Sequence, residues 1–163
     1  MEWDMIDDTL TEPIDPRKTH YTMITGQIAV GSLYSPYDDF DVIVNMAFRY
    51  EGDGFTRHHI TTTTESGKTI YRIGIHDTPL EPLDRILPPL IPVLHQALHD
   101  HKRILIHCQA GMSRSASVAV ALLAISQNLS FTEALSYVVL KRPIVKPNDG
   151  FMVMTREFLH TRE

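Results

Sequence analysis

Short apolar runs bounded by turn residues dominate the first half of the chain. Ile24 to Leu33 and Asp41 to Ala47 read as strands, the second through the buried run Val42-Ile43-Val44. Thr61 to Thr64 and Thr69 to Ile75 are β-rich and flank Glu65-Ser66-Gly67-Lys68, which predicts a hairpin turn. Arg103 to His107 is one more short apolar strand, and it leads straight into Cys108.

The second half repeats at helical spacing. Leu90 to Asp100 predicts a helix, with Pro88, Pro89 and Pro92 confined to its entry or first turn, where a missing N–H costs little. Ser115 to Gln127 is apolar nearly all round, the mark of a buried central helix. Ser130 with Glu133 spells a capping box. Phe131, Ala134, Leu135, Val138 and Val139 then follow the stripe of a core-facing helix. Asn148 or Asp149 is placed to cap a last helix facing inward through Phe151, Met154, Phe158 and Leu159. Strands followed by helices in the second half imply an α/β sheet with helices packed on its faces.

Composition narrows the class. With 163 residues, 43% of them hydrophobic, the expectation is one globular domain over residues 21–163. Residues 1–20 form an acidic arm: Glu2, Asp4, Asp7, Asp8, Glu12 and Asp15 precede any base. Removing these six from the twenty acids leaves fourteen against fifteen bases, so the body is nearly neutral. A basic stripe for nucleic acid is not visible, and the longest apolar run, Val118 to Ile125, is too short to cross a bilayer. A solvated arm is the simple reading, and a docking or autoregulatory arm the alternative. One cysteine cannot form an internal disulfide, and the sequence lacks a signal-peptide pattern, so a cytoplasmic monomer is expected.

That one cysteine is where the chemistry gathers. A strand ending at His107, a turn through Gln109, Ala110, Gly111, Met112 and Ser113, and a helix starting near Arg114 would aim several backbone N–H groups at one point beside a positive helix dipole. Such a nest suits a dianion, and it favours the thiolate of Cys108 at its floor. Arg114 offers a planar fork for two phosphoryl oxygens. Gly111 permits the tight turn, and Ser115 places a hydroxyl near the sulfur. A buried structural cysteine in an ordinary strand-to-helix turn would not require the arginine six residues on.

The run His107-Cys108-Gln109-Ala110-Gly111-Met112-Ser113-Arg114-Ser115 resembles the HCxxGxxRS signature of the cysteine-dependent protein tyrosine phosphatases, and in detail their dual-specificity branch. Ile24-Thr25 with Val30-Gly31-Ser32-Leu33 resembles that branch's first strand. Arg142-Pro143 with Pro147-Asn148-Asp149-Gly150-Phe151 resembles its RP…PNxGF element. Low-molecular-weight phosphatases and arsenate reductases carry a Cys-(five)-Arg core near the N-terminus, whereas here it follows about a hundred residues. The resemblance spans residues 24–160 and implies an α/β fold with a central mixed, mostly parallel sheet flanked by helices. It departs in one place: only Tyr34 to Phe40 and their neighbours separate the first two strands, so a helix found there in many relatives is reduced to a turn or missing.

Thiolate attack on a phosphate ester needs an acid to protonate the departing oxygen. Asp77, in Ile75-His76-Asp77-Thr78-Pro79, follows a strand at the distance upstream of Cys108 where similar phosphatases carry that acid on a mobile loop. Glu81 and Asp84 are the nearby alternatives, and Asp84 reads better as a lead into the helix. The resemblance gives His107 a loop-ordering role and makes Asn148 either a buttress of the loop or a helix cap. His95 and His99 lack the glutamate of an HExxH motif and an evident third ligand, so no metal is expected, and displacement by cysteine requires none. The implied reaction is hydrolysis of phosphotyrosine and phosphoserine or phosphothreonine in a phosphorylated protein substrate through a phosphocysteine, without a cofactor. A phosphoinositide or RNA 5′-phosphate substrate is the alternative within the same machinery, and a non-catalytic phosphate-binding module the alternative outside it.

Overall fold

A computed structural model describes residues 20–47 and 59–161. The acidic arm therefore lies outside the described residues, apart from His20. Six strands form one sheet: β1 (Tyr21–Met23), β2 (Ile28–Gly31), β3 (Val42–Asn45), β4 (Ile60–Glu65), β5 (Lys68–Ile73) and β6 (Ile104–His107). Four helices are described: α1 (Leu83–His99), α2 (Arg114–Gln127), α3 (Phe131–Lys141) and α4 (Asp149–His160).

The sheet order is β1-β2-β6-β3-β5-β4. Its four inner strands are parallel, and β1 and β4 close the two edges as antiparallel partners of β2 and β5. Continuous apolar runs such as Ile104-Leu105-Ile106 occupy the centre because both faces there are buried. Ile28, Val30, Val42, Val44, Ile104 and Ile106 face the helices in one large core. On the opposite face Ala29, Ile43, Ile70 and Leu105 pack with Phe40, flanked by Tyr21, Met23 and Tyr37. All four described helices share the first face, with α2 at the centre, buried from Ser115 through Ala124. No single described helix is long and apolar enough to cross a membrane.

Two expectations need correction. The strand read over Ile24 to Leu33 is half of a hairpin: Ile24 and Thr25 turn the chain, with both their N–H groups on the carbonyl of Ile28, and the strand proper is β2. The Thr25 hydroxyl accepts the N–H groups of Gln27 and Ile28 in that turn, which apolar spacing alone does not reveal. The helix read from Leu90 begins seven residues earlier, at Leu83, so Pro88, Pro89 and Pro92 lie inside it. Leu83, Ile86, Leu87, Leu90, Ile91 and Leu94 keep helical spacing straight through the prolines, which all face solvent, where water satisfies the carbonyls left without donors.

Elsewhere the local chemistry acts as read. Ser66 and Gly67, both at positive φ (53° and 78°), turn β4 into β5 in the conformation a two-residue hairpin favours. Ser130 and Glu133 form the reciprocal capping box of α3, and Asn148, not Asp149, caps α4 by accepting the N–H of Phe151. Residues 34–41 run as turns and bends, as the short connection required.

Candidate active site

The parallel strands β2, β6 and β3 end in register, with Gly31 and Asn45 both opposite His107. An open α/β sheet presents its binding crevice at these carboxyl ends, and the loop from Cys108 to Ser113 emerges there and enters α2. Backbone bonds fasten its base: Cys108 N–H donates to the Gly31 carbonyl (3.2 Å), and Leu33 N–H to that of Gln109 (3.1 Å). On the far side Lys146 N–H donates to the Met112 carbonyl (2.8 Å).

These contacts turn loop carbonyls outward and leave the sulfur facing donors. Gly111 N–H lies 3.3 Å from Cys108 Sγ, and Ser115 Oγ lies 3.2 Å from it. Cys108 is only 2% exposed. Burial opposes a charge on it, yet the Arg114 guanidinium, with hydrogen bonds from Ser115 and Gly111, outweighs that penalty and holds the thiol below its ordinary value. Arg114 is itself oriented through Nη1, which donates to the carbonyls of Ile75 (3.0 Å) and Met46 (3.3 Å). Its Nε is buried with no hydrogen-bond partner among the described residues, so one N–H of the fork remains for an incoming oxygen.

Asn148 performs both of the roles that its sequence context left open, and a third. Its side-chain carbonyl caps α4, its backbone N–H donates to Ser113 Oγ in the loop (2.9 Å), and its Nδ2 donates to Asp77 Oδ1 (2.8 Å). One residue thus ties the candidate acid to the phosphate loop. The segment carrying Asp77 is also pressed on α4: a Cβ on Gly150 would come within 2.1 Å of the Pro79 carbonyl oxygen, a space that only glycine leaves open. Glu81 Oε1 accepts the N–H of His76 (2.9 Å), bracing the same turn. Asp84 sits in the first turn of α1, its N–H on Met154 Sδ, away from Asn148.

The least anticipated participant is Arg142. It follows α3 directly and is 2% exposed. Nε donates to the Gly111 carbonyl (3.0 Å), Nη2 to that of Ala110 (3.2 Å) and Nη1 to Thr22 Oγ1 in β1 (2.9 Å). Burial lowers its pKa while the nearby Cys108 pulls the other way. A guanidinium keeps its charge through such a shift, so a second cation lies close enough to Cys108 to interact with it electrostatically. Gly111, at φ +71°, leaves room for it: a Cβ there would stand 2.7 Å from Arg142 Nη2. The arginine was visible in the sequence within Arg142-Pro143, but its 31-residue separation from Gly111 gave no sign of the contact.

His107, at the end of β6, is buried, and its ring stays neutral. Burial drives its pKa down to about 4, Arg114 adds repulsion, and the Cys108 backbone offsets part of both. His95 and His99 lie side by side on α1, ring centroids 4.9 Å apart and tilted by 49°.

The chain is similar to known proteins in sequence and in fold. A family model described as the dual specificity phosphatase catalytic domain matches residues 37–160. The chain is 30% identical, over 89% of its own length and 92% of the relative's, to protein 123R of Invertebrate iridescent virus 6, a tyrosine phosphatase by its name alone. It is 32% identical over 61% of its length to dual specificity protein phosphatase 15 of Rattus norvegicus, of which it spans 45%. The crystal structure of human DUSP28 superposes with a TM-score of 0.74 at 22% identity, covering 93% of this chain and 99% of that one, and so shows the same fold. With its signature loop at the carboxyl ends of a mixed sheet, this chain belongs to the dual specificity phosphatase catalytic-domain family.

Proposed function

We propose that the chain removes phosphate from phosphotyrosine and from phosphoserine or phosphothreonine in protein substrates through a phosphocysteine, with Cys108 as nucleophile, Arg114 and the loop amides as phosphoryl ligands, and Asp77 as acid and then base. The observation that carries this reading is the buried Cys108 sulfur, held below its ordinary pKa beside an Arg114 whose Nε has no partner among the described residues. Sγ attacks phosphorus as the ester oxygen leaves with a proton from Asp77. Water, deprotonated by Asp77, then attacks the phosphocysteine, and the sulfur departs as a thiolate toward Ser115 Oγ and Gly111 N–H. Gln109, Ala110, Met112 and Ser113 bring no charge to the loop. This favours a single phosphate over a polyphosphorylated headgroup, which would call for added cations. A nucleophilic thiolate also suits a reducing compartment such as the cytoplasm.

The test is a panel of phosphotyrosine and phosphothreonine peptides, phosphoinositides and 5′-phosphorylated RNA at equal concentration. Both peptides should turn over, tyrosine faster because phenolate is the better leaving group. A lipid or RNA preference of about tenfold in kcat/KM, about 1.4 kcal/mol in the transition state, would overturn the protein-substrate reading. Cys108→Ser should abolish turnover while retaining phosphopeptide binding, because the amides and Arg114 remain. Residual steady turnover by that variant would remove the covalent route.

A further inference from the structure

Tyr37 reaches the catalytic loop from outside every motif so far described. It belongs to the short connection between β2 and β3. His107 lies two residues beyond Leu105 on β6, so its side chain emerges on the sheet face opposite the helices, the face on which Tyr37 packs. There Tyr37 Oη stands 2.7 Å from His107 Nε2, with the two ring centroids 5.5 Å apart.

The direction of this bond follows from the other nitrogen. His107 Nδ1 is buried without a hydrogen-bond partner among the described residues, while the neighbouring Cys108 backbone favours a proton on the ring. A neutral imidazole carries one N–H and one lone pair. A proton on Nδ1 answers the Cys108 backbone and leaves the Nε2 lone pair for the phenol. The reverse tautomer would turn a lone pair toward that backbone. Two charged groups act on Tyr37 from outside, Arg72 and Glu65, which are paired to each other at 2.8 Å, and Arg114 acts on His107 from the loop.

We infer that Tyr37 is a positioning residue for the phosphatase reaction: its hydroxyl donates to His107 Nε2, keeps the ring proton on Nδ1 facing the Cys108 backbone, and so holds the loop in the geometry that favours the thiolate. The inference rests on the phosphocysteine reading but is tested without turnover. Because Cys108 is the sole cysteine, the rate of its alkylation by iodoacetamide reports the thiolate directly.

Tyr37→Phe keeps the ring packed against the small apolar cluster of that sheet face and removes only the hydroxyl. At about pH 6, well below the ordinary thiol range, the full-length variant should alkylate about three- to tenfold more slowly than the parent, the effect of one lost hydrogen bond. Its alkylation profile should move to higher pH, and kcat/KM should follow. In a His107→Asn background Tyr37→Phe should add nothing. Nitrogen NMR of the parent should show the His107 proton on Nδ1. An unchanged alkylation profile in Tyr37→Phe, the same effect with and without His107, or a proton on Nε2 would each overturn the inference. An ordinary thiol profile in the parent would instead overturn the phosphocysteine reading beneath it.

Discussion

At the scale of single residues, the site separates Asp77 from Asp84 by geometry. Asp77 accepts from Asn148 and Asp84 does not. Asp77→Ala should therefore slow phosphotyrosine turnover by about 10²- to 10³-fold, the size of a lost proton transfer, and should slow an ester with a strongly acidic leaving group far less. Asp84→Ala should do neither, and the opposite pattern would reverse the assignment. His107 carries a second consequence, for stability. The unfolded ring takes up a proton near 6.5, whereas the folded ring resists until about 4, so the unfolded state binds more protons across that window. Stability should fall as pH drops from 6.5 to about 4, by on the order of 3 kcal/mol, then level off. His107→Asn, followed by urea unfolding across that range, should remove most of the slope. The proximity of Cys108, Arg114 and Ser115 was legible because it is local, set by a strand end, a short loop and the first turn of a helix, whereas Asp77 was picked out by resemblance. The roles of Arg142 and Tyr37 were not legible, because each acts through a contact that the chain makes with a partner 31 to 120 residues away.

Among elements, the outcome followed whether the decisive force was local or tertiary. The capping box of α3, the Asn148 cap of α4, the turn at Ser66-Gly67 and the apolar stripes of α3 and α4 are local, and they appear where the sequence placed them. Helix α1 shows the other case. Prolines normally end a helix, yet six buried leucines and isoleucines along one stripe keep Leu83–His99 helical around three of them. Pro92 faces solvent in mid-helix and leaves the Pro88 carbonyl without a helical donor. Pro92→Ala should restore that bond and stabilise the chain by about 1 to 3 kcal/mol, seen as a higher denaturant midpoint with an unchanged slope. A lower midpoint would mean that the ring itself matters at that position.

On the scale of the whole molecule, Arg142 fastens three parts that are distant in sequence: edge strand β1 through Thr22, the phosphate loop through Ala110 and Gly111, and the end of α3 from which it projects. Arg142→Gln should expose the consequence of that link. With two buried carbonyls losing a charged donor, a loss of about 2 to 4 kcal/mol is expected, together with slower Cys108 alkylation in molecules that remain folded. A loss of stability alone would confine Arg142 to the scaffold. The same edge strand also fixes where attachments to this fold emerge. The His20 carbonyl accepts Ser32 N–H, one residue past the Gly31 whose own carbonyl holds Cys108, so the chain enters β1 at the rim of the site. Helix α4 starts at that rim, at Asn148, and its twelve residues carry the chain about 18 Å away. A bulky fluorophore, affinity handle or surface tether attached at His20 itself would stand at the rim of the site, in the path of an approaching phosphopeptide, whereas the same handle attached at Thr161, at the far end of α4, would leave that path clear.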